Sequence, residues 1–265
     1  VYKEKLILPS WLTNITICGE DRDNTIITWD DHANIKMPVG GLDSEAAVKG
    51  KPMGTFRTYT LKVQGSYITL KNITIENNAA KLGQAVSLHL EGDHILVQNC
   101  RLLGNQDTVY TGIANNRSAF YDCYIEGTTD FIFGPGRAWF ENCEIRSKAN
   151  SYITAASSPA GQEYGYVFNK CKLTAEPGVD KVYLGRPWRP YAATLFMNCE
   201  MGSHIRPEGW YNWGKQSNEQ TARYSEYNNH GAGAATKARV AWSRQLTKKE
   251  AAKVTIKNVF GEEAW

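Results

Sequence analysis

The sequence predicts an all-β fold, a parallel β-helix that ends in a short C-terminal helix, and three observations support this prediction. A phrase of alternating apolar and polar residues around a cysteine recurs along the chain. It returns at intervals of 20 to 28 residues, which is the period of a solenoid repeat. Helical signals are confined to the C-terminal end.

The recurring phrase consists of a strand, a polar residue, a cysteine and a second strand. Val, Ile, Phe and Tyr at alternate positions suit pleated strands. The Asn or Asp before the cysteine is typical of a tight corner, because its side chain tolerates left-handed backbone. Ile73 takes the cysteine position in one copy, and Ile15 is expected to do so in the first coil. The cysteine copies are HILVQNCRLLG, RSAFYDCYIEG, RAWFENCEIRS, YVFNKCKLTAE and ATLFMNCEMGS.

Five of the six cysteines should form one inward-facing column, because equivalent positions of a solenoid stack on one another. Cysteine is small, apolar and readily buried, so we expect the column to pack the interior rather than to form disulfide bonds. Cys18 lies outside it. The column consists of Cys100, Cys123, Cys143, Cys171 and Cys199.

A single domain is predicted for residues 1–265. Thr247 with Glu250 forms a capping-box pattern, which predicts a helix in residues 246–253 packed on the outside of the solenoid. Residues 1–8 have the pattern of a strand already under way. Because solenoids need capped ends, we expect an N-terminal cap to be missing or trimmed.

Composition excludes several classes of protein. The net charge is +3, without the clustered Lys and Arg of a nucleic-acid-binding protein. No apolar run approaches the roughly 18 residues that a membrane span needs. Six cysteines without a CxxC pair give no metal site, and no cofactor is expected.

Two aspartates share a position in the repeat. Asp107 follows Cys100 by seven residues, and Asp130 follows Cys123 by seven. Stacked cysteines would therefore bring the two aspartates to about 4.8 Å, one strand spacing. Repulsion would leave one of them protonated and the other ionised, which makes an acid and a nucleophile or base from identical residues. The alternative is that both are ordinary turn residues. The same spacing after the next three cysteines gives Asn150, Gly178 and Arg206.

Three neighbouring polar residues sharpen this interpretation. Gln84 and Gln106 could donate amide hydrogens to a developing oxyanion, although Gln84 could instead belong to a structural amide ladder. Arg186 could hold a carboxylate in a bidentate way, or form a surface salt bridge of little energy. Aromatic faces suit sugar surfaces, and the candidates are those beside the aspartate pair. The chain offers Tyr110, Phe131, Phe133, Trp188, Trp210, Tyr211 and Trp213.

Four segments, in order, resemble the signature segments of the pectin methylesterases (pectinesterases). They are residues 83–86, 106–110, 130–134 and 184–188. Residues 208–213 and 222–229 also resemble that family, and the resemblance covers essentially the whole chain. Residues 134–139 differ from the segment common in plant members, which indicates a bacterial-looking member.

The resemblance implies a right-handed β-helix and a carboxylic ester hydrolase that removes methyl esters from polygalacturonate, giving methanol and free carboxylates. Asp130 would be the nucleophile that forms an acyl-enzyme. Asp107 would be the general acid and then the general base. Gln84 and Gln106 would form the oxyanion hole, and Arg186 would keep Asp130 ionised.

The resemblance also implies the partners and the cellular setting. Trp188 would line the substrate cleft, with Tyr110 and Phe133 as further binding residues for methylated homogalacturonan (pectin). The chain is expected to be a monomer that is secreted or periplasmic, with no nucleic acid, membrane span, metal or cofactor.

Two other classes of protein stay open at this point. One is another pectin-active β-helix enzyme, a lyase or a glycosidic hydrolase, since a hydrolase can also use two carboxylates about 5 Å apart. The other is a non-catalytic carbohydrate-binding β-helix. The paired glutamines and Arg186 favour ester chemistry.

Overall fold

The predicted parallel β-helix is confirmed by a computed structural model, which describes residues 1–37 and 50–261. The chain visits three sheets in turn, once per coil, and neighbouring strands within each sheet run parallel. Residues 38–49 and 262–265 of the predicted domain lie outside the described residues.

The strands are short and follow one another in a regular order. The first twelve are β1 (Tyr2–Lys3), β2 (Leu6–Leu8), β3 (Thr13–Cys18), β4 (Ile26–Trp29), β5 (Leu61–Val63), β6 (Ser66–Lys71), β7 (Thr74–Asn77), β8 (Leu88–Leu90), β9 (Ile95–Gln98), β10 (Arg101–Leu103), β11 (Val109–Thr111) and β12 (Arg117–Tyr121). The others are β13 (Tyr124–Gly127), β14 (Ile132–Gly134), β15 (Arg137–Glu141), β16 (Glu144–Ser147), β17 (Tyr152–Ala156), β18 (Tyr166–Asn169), β19 (Lys172–Ala175), β20 (Tyr183–Gly185), β21 (Ala193–Met197), β22 (Glu200–Met201), β23 (Arg223–Tyr227) and β24 (Arg244–Gln245).

Each sheet takes one strand from each successive coil. Sheet A has the order β1-β4-β7-β10-β13-β16-β19-β22. Sheet B has the order β2-β5-β8-β11-β14-β17-β20. Sheet C has the order β24-β23-β21-β18-β15-β12-β9-β6-β3. The described helical segments are a 3-10 turn (Thr55–Arg57), α1 (Asn218–Thr221), α2 (Lys248–Ala251) and α3 (Ile256–Phe260).

The cysteine corner joins sheet C to sheet A. The five predicted column cysteines are at most 2% exposed, and their thiols are free. The residue before each one has a φ between 50° and 55°, so the predicted left-handed corner is confirmed. At Asn99 the side chain also donates to Asn72 one coil away, at 2.8 Å. The column therefore packs the interior while the polar residue closes each turn.

The interior also contains a ladder of stacked phenylalanines. Phe120, Phe140, Phe168 and Phe196 occupy paired positions of sheet C, and consecutive rings lie 4.3 to 4.6 Å apart. Each coil thus buries an aromatic face against its neighbours, and this burial ties the stack together.

Two expectations about the first coil are wrong. Ile15 does not take the cysteine position, because it lies inside β3 and pairs with Ile68. Residues 1–8 form two strands rather than one. Glu4 donates its N–H to Thr28 and Leu6 donates to Thr60, so the chain turns here from sheet A into sheet B.

The predicted C-terminal helix is confirmed as α2, including the reciprocal capping box of Thr247 and Glu250. Leu246 and Val254, which flank it, pack with α3 on the outer face of sheet C. Val259 and Phe260 of α3 join Trp139 and Leu195 there in an apolar cluster separate from the interior. Within the described part of the chain, every helix is too short or too polar to cross a bilayer.

Candidate active site

Asp107 and Asp130 lie in the turns that lead from sheet A into sheet B. The pairing of Val109 with Ile132 puts the two aspartates at equivalent positions on adjacent coils, as the cysteine spacing predicts. Their φ angles are 66° and 51°, a left-handed conformation that Asp tolerates well. Their exposed fractions are only 8% and 5%, so two carboxyl groups share a buried position.

Arg186 binds one of the two aspartates. Its Nε donates to Asp130 Oδ1 at 2.9 Å, and its Nη2 donates to Asp130 Oδ2 at 2.7 Å. This bidentate geometry is the strongest arrangement available to an arginine and a carboxylate. Arg186 follows β20 directly, three coils after the strand that Asp107 precedes. The surface-salt-bridge alternative does not apply, because both partners are largely buried.

The two carboxyl groups differ in protonation. Burial raises the pKa of Asp107 well above its ordinary value, and the negative charge of Asp130 raises it further. Burial raises the pKa of Asp130 as well, and the hydrogen bonds and charge of Arg186 offset only part of that rise, so the pKa of Asp130 lies above its ordinary value but is held down by Arg186. Because Arg186 makes its hydrogen bonds to Asp130, Asp107 is the member that holds a proton and Asp130 is the carboxylate.

Gln84 and Gln106 lie beside the pair. The N–H of Ala85 donates to the backbone oxygen of Gln106 at 3.0 Å, which sets the two glutamines on adjacent coils. Both side chains are half-buried and line the same cleft as the aspartates. Among the described residues, neither side-chain amide has a hydrogen-bond partner, so their NH₂ groups are free to donate into the cleft.

The cleft has a volume of about 190 Å³. All five predicted catalytic residues line it, together with the predicted binding residues Phe133 and Trp188. Tyr110 is not in the lining but pairs with Phe133 on the neighbouring strand, with the two ring centroids 4.7 Å apart. The structure therefore places seven of the eight predicted site residues in one cleft and the eighth, Tyr110, against one of them.

Aromatic residues that the sequence did not assign complete the walls. Phe56 lines the cleft and packs on Tyr110 with ring centroids 4.8 Å apart; no motif distinguished it. Trp213, one of the aromatic candidates, also lines the cleft. Phe131 and Trp210 instead belong to the interior core.

The column position after Asp130 is occupied by Tyr152, not by Asn150. The Asp130 N–H donates to the Tyr152 oxygen at 2.8 Å, and Ile132 pairs with Thr154. The expectation for Asn150 is wrong because the coil after Cys143 is longer before it enters sheet B. Counting from the cysteine therefore loses register at this coil.

Across residues 1–37 and 50–261, His, Cys, Asp and Glu side chains form no group of three that could hold a metal ion. The cleft contributes carboxyl, amide and guanidinium groups and aromatic faces instead. Chemically, this set can provide an acid, a nucleophile, oxyanion donors and a sugar-binding surface.

Comparisons with known proteins show which family the chain belongs to. The family model described as Pectinesterase matches residues 1–263. Pectinesterase 31 of Arabidopsis thaliana is 37% identical, over 95% of this chain and 77% of its own length. Several other plant relatives are longer, and the chain spans only about half of them.

Solved structures agree as well. Pectin methylesterase from carrot has a TM-score of 0.86 and 30% identity, covering 98% of this chain and 81% of its own. Pectin methylesterase from Yersinia enterocolitica has a TM-score of 0.85 and 30% identity, covering 100% of this chain and 92% of its own. On the whole-length family match, the shared fold and these identities, the chain belongs to the pectinesterase family, whose members are carboxylic ester hydrolases.

Proposed function

We propose that this chain hydrolyses the methyl esters of polygalacturonate (pectin), releasing methanol and leaving free carboxylates. The observation that carries the proposal is that the two neighbouring aspartates have different surroundings. Asp130 is ionised and fixed by two hydrogen bonds from Arg186, while Asp107 keeps its proton through burial and repulsion. A carboxylate nucleophile must be ionised and positioned, and its acid partner must start protonated.

In the first half-reaction Asp130 attacks the carbonyl carbon of the methyl ester. The negative charge that develops on the carbonyl oxygen receives hydrogen bonds from the free NH₂ groups of Gln84 and Gln106. Collapse of the tetrahedral intermediate breaks the bond to the methoxy oxygen, and Asp107 gives that oxygen its proton. Methanol leaves, and an anhydride joins the galacturonate to Asp130.

In the second half-reaction Asp107, now a carboxylate, takes a proton from water. The hydroxide so formed attacks the galacturonyl carbon of the anhydride, with the same two glutamines stabilising the oxyanion. Breaking of the anhydride returns Asp130 as a carboxylate held by Arg186, and Asp107 is protonated again. The site is thereby restored, and the galacturonic acid product releases its proton to solvent and becomes a free carboxylate.

Substrate binding is assigned to the aromatic walls of the cleft. Trp188 and Phe133 line it, and the ring of Tyr110 packs beside that of Phe133. Aromatic faces suit the C–H surfaces of sugars, while their lack of charge suits an esterified unit. We further propose that the chain is a monomer. We also propose that it is secreted or periplasmic, a location inferred from its substrate. The bacterial character suggested by residues 134–139 stays a prediction.

The test is to incubate the protein with highly methylated pectin and to measure methanol together with chain length. We expect methanol to accumulate while the chain length stays constant. Shortened oligosaccharides would support a glycosidic hydrolase, an unsaturated product would support a lyase, and binding without turnover would support a carbohydrate-binding module. Each of these three results would contradict the proposal.

A further inference from the structure

Tyr152 contacts both partners of the Asp130–Arg186 ion pair, and no step of the reaction above uses it. Its backbone oxygen accepts the Asp130 N–H at 2.8 Å. The face of its ring covers the Arg186 guanidinium, whose central carbon lies 3.9 Å from the ring centroid. Tyr152 therefore fixes the backbone of the carboxylate and one face of the cation that binds it.

The other face of the guanidinium is covered too. The ring of Trp213 lies 3.8 Å from the same carbon, so Arg186 is clamped between two aromatic faces. A guanidinium donates only in its own plane, and here that plane is directed at Asp130. The two rings also keep water from the faces of the cation, which strengthens its attraction for the carboxylate.

The Tyr152 ring is itself held in place. It stacks on Tyr183 with centroids 5.4 Å apart and planes 12° apart, and it contacts Tyr211 at 5.5 Å. Its hydroxyl has no hydrogen-bond partner among the described residues. The ring face, rather than the hydroxyl, is thus the part of Tyr152 that the site uses.

We propose that Tyr152 is a positioning residue that sets the plane of Arg186, so that this guanidinium stays on Asp130 and is kept from Asp107. The inference rests on the proposed esterase activity. Asp107 and Asp130 are neighbours on adjacent coils, so a guanidinium free to tilt could share its charge between them. The ring of Tyr152, which follows Asp107 and Asp130 in the column, thereby keeps Arg186 bound to only one of the two aspartates.

A matched pair of variants tests this role. Tyr152→Phe keeps the ring and removes the hydroxyl, whereas Tyr152→Leu removes the ring. Methanol release from methylated pectin gives kcat, KM and their pH dependence for both. We expect Tyr152→Phe to stay within about twofold of wild type, and Tyr152→Leu to lose about tenfold in kcat with little change in KM, the size of one desolvated cation–π contact.

The pH profile separates positioning from a merely structural role. Without the ring, Arg186 stabilises the Asp130 carboxylate less, so the pKa of Asp130 rises. The acid limb of kcat/KM should therefore move to higher pH by about half a unit to one unit in Tyr152→Leu. In an Arg186→Met background the same substitution should add no further loss of kcat, because its effect passes through Arg186.

Several results would overturn the inference. They are an unchanged kcat and pH profile in Tyr152→Leu, a rise in KM alone, which would make Tyr152 a sugar-binding residue, and equal damage from Tyr152→Phe. Thermal unfolding checks that each variant is folded, and Tyr152→Met replaces Tyr152→Leu if the latter is not. A wild-type protein that releases no methanol refutes the proposed function, whereas an active wild type with an unaffected Tyr152→Leu refutes this inference alone.

Discussion

In the two coils that carry Asp107 and Asp130, two corners share a polar residue with left-handed backbone but are used differently. At the cysteine corner a polar residue with left-handed backbone precedes a buried thiol, and the pattern repeats with little variation from coil to coil. At the corner leading into sheet B, the corresponding column changes from Asp107 to Asp130 to Tyr152. The constant corner keeps successive coils in register, and at the variable corner this register places different side chains next to one another.

The comparison is sharpest between two aspartates of one coil. Asp122 stands at the cysteine corner with a φ of 55°, and Asp130 stands at the other corner with a φ of 51°. Asp122 is exposed, whereas Asp130 is buried against Arg186. The same residue type in the same backbone conformation closes a turn in one place and is the proposed nucleophile in the other.

The largest expected effect comes from exchanging Asp130 for its amide. Asp130→Asn should lower the rate of methanol release by at least roughly 10⁴-fold, because the nucleophile is lost. Asp122→Asn is the matched control, since Asn already precedes several of the other cysteines, and it should leave the rate unchanged. Substantial activity in Asp130→Asn would refute the nucleophile assignment.

The next effect concerns the oxyanion donors. Gln106→Leu should reduce kcat by roughly 10²-fold or more with a smaller effect on KM, because its hydrogen bond forms only as charge develops in the transition state. Gln84→Leu should act in the same direction. Steady-state kinetics on methylated pectin measure both quantities. A change confined to KM would show instead that these glutamines bind the substrate in its ground state.

At the cysteine corner we expect a loss of stability rather than of activity. Cys123→Ala removes a buried side chain and should lower the free energy of unfolding by about 1–2 kcal/mol, with kcat retained. Cys18→Ala, at an exposed cysteine, should change neither quantity. Denaturant unfolding and methanol release measure both; a large loss of kcat in folded Cys123→Ala would show that the two corners are not independent.

A smaller effect appears in the pH dependence of stability. The folded state raises the pKa of Asp107 well above its ordinary 3.8, so the wild type loses stability as the pH rises from that ordinary value towards the folded one. Asp107→Asn carries no such titration. The variant should therefore gain stability relative to wild type as the pH rises above about 4, and a constant difference between pH 3 and 8 would contradict the raised pKa.

The fold and most of the site could be predicted from the sequence because the recurring cysteine marks the same position in successive coils. Asp107 and Asp130 follow their cysteines by the same spacing, so stacking of the cysteines was enough to pair them. The spacing gave the wrong residue in two places. Tyr152 takes the position predicted for Asn150 because its coil is longer, and Ile15 lies inside β3, which extends to Cys18. Phe56 reaches the cleft from a 3-10 turn outside the repeat, and no local pattern marks such a long-range contact.

The most direct measurement of the central claim is the infrared spectrum of the resting enzyme near pH 7, which distinguishes a carboxylic acid from a carboxylate. We predict one buried carboxylic acid in the wild type that is absent from Asp107→Asn, with Asp130 ionised in both proteins. Complete ionisation in the wild type, or a protonated carboxyl that persists in Asp107→Asn, would contradict the division of roles between Asp107 and Asp130.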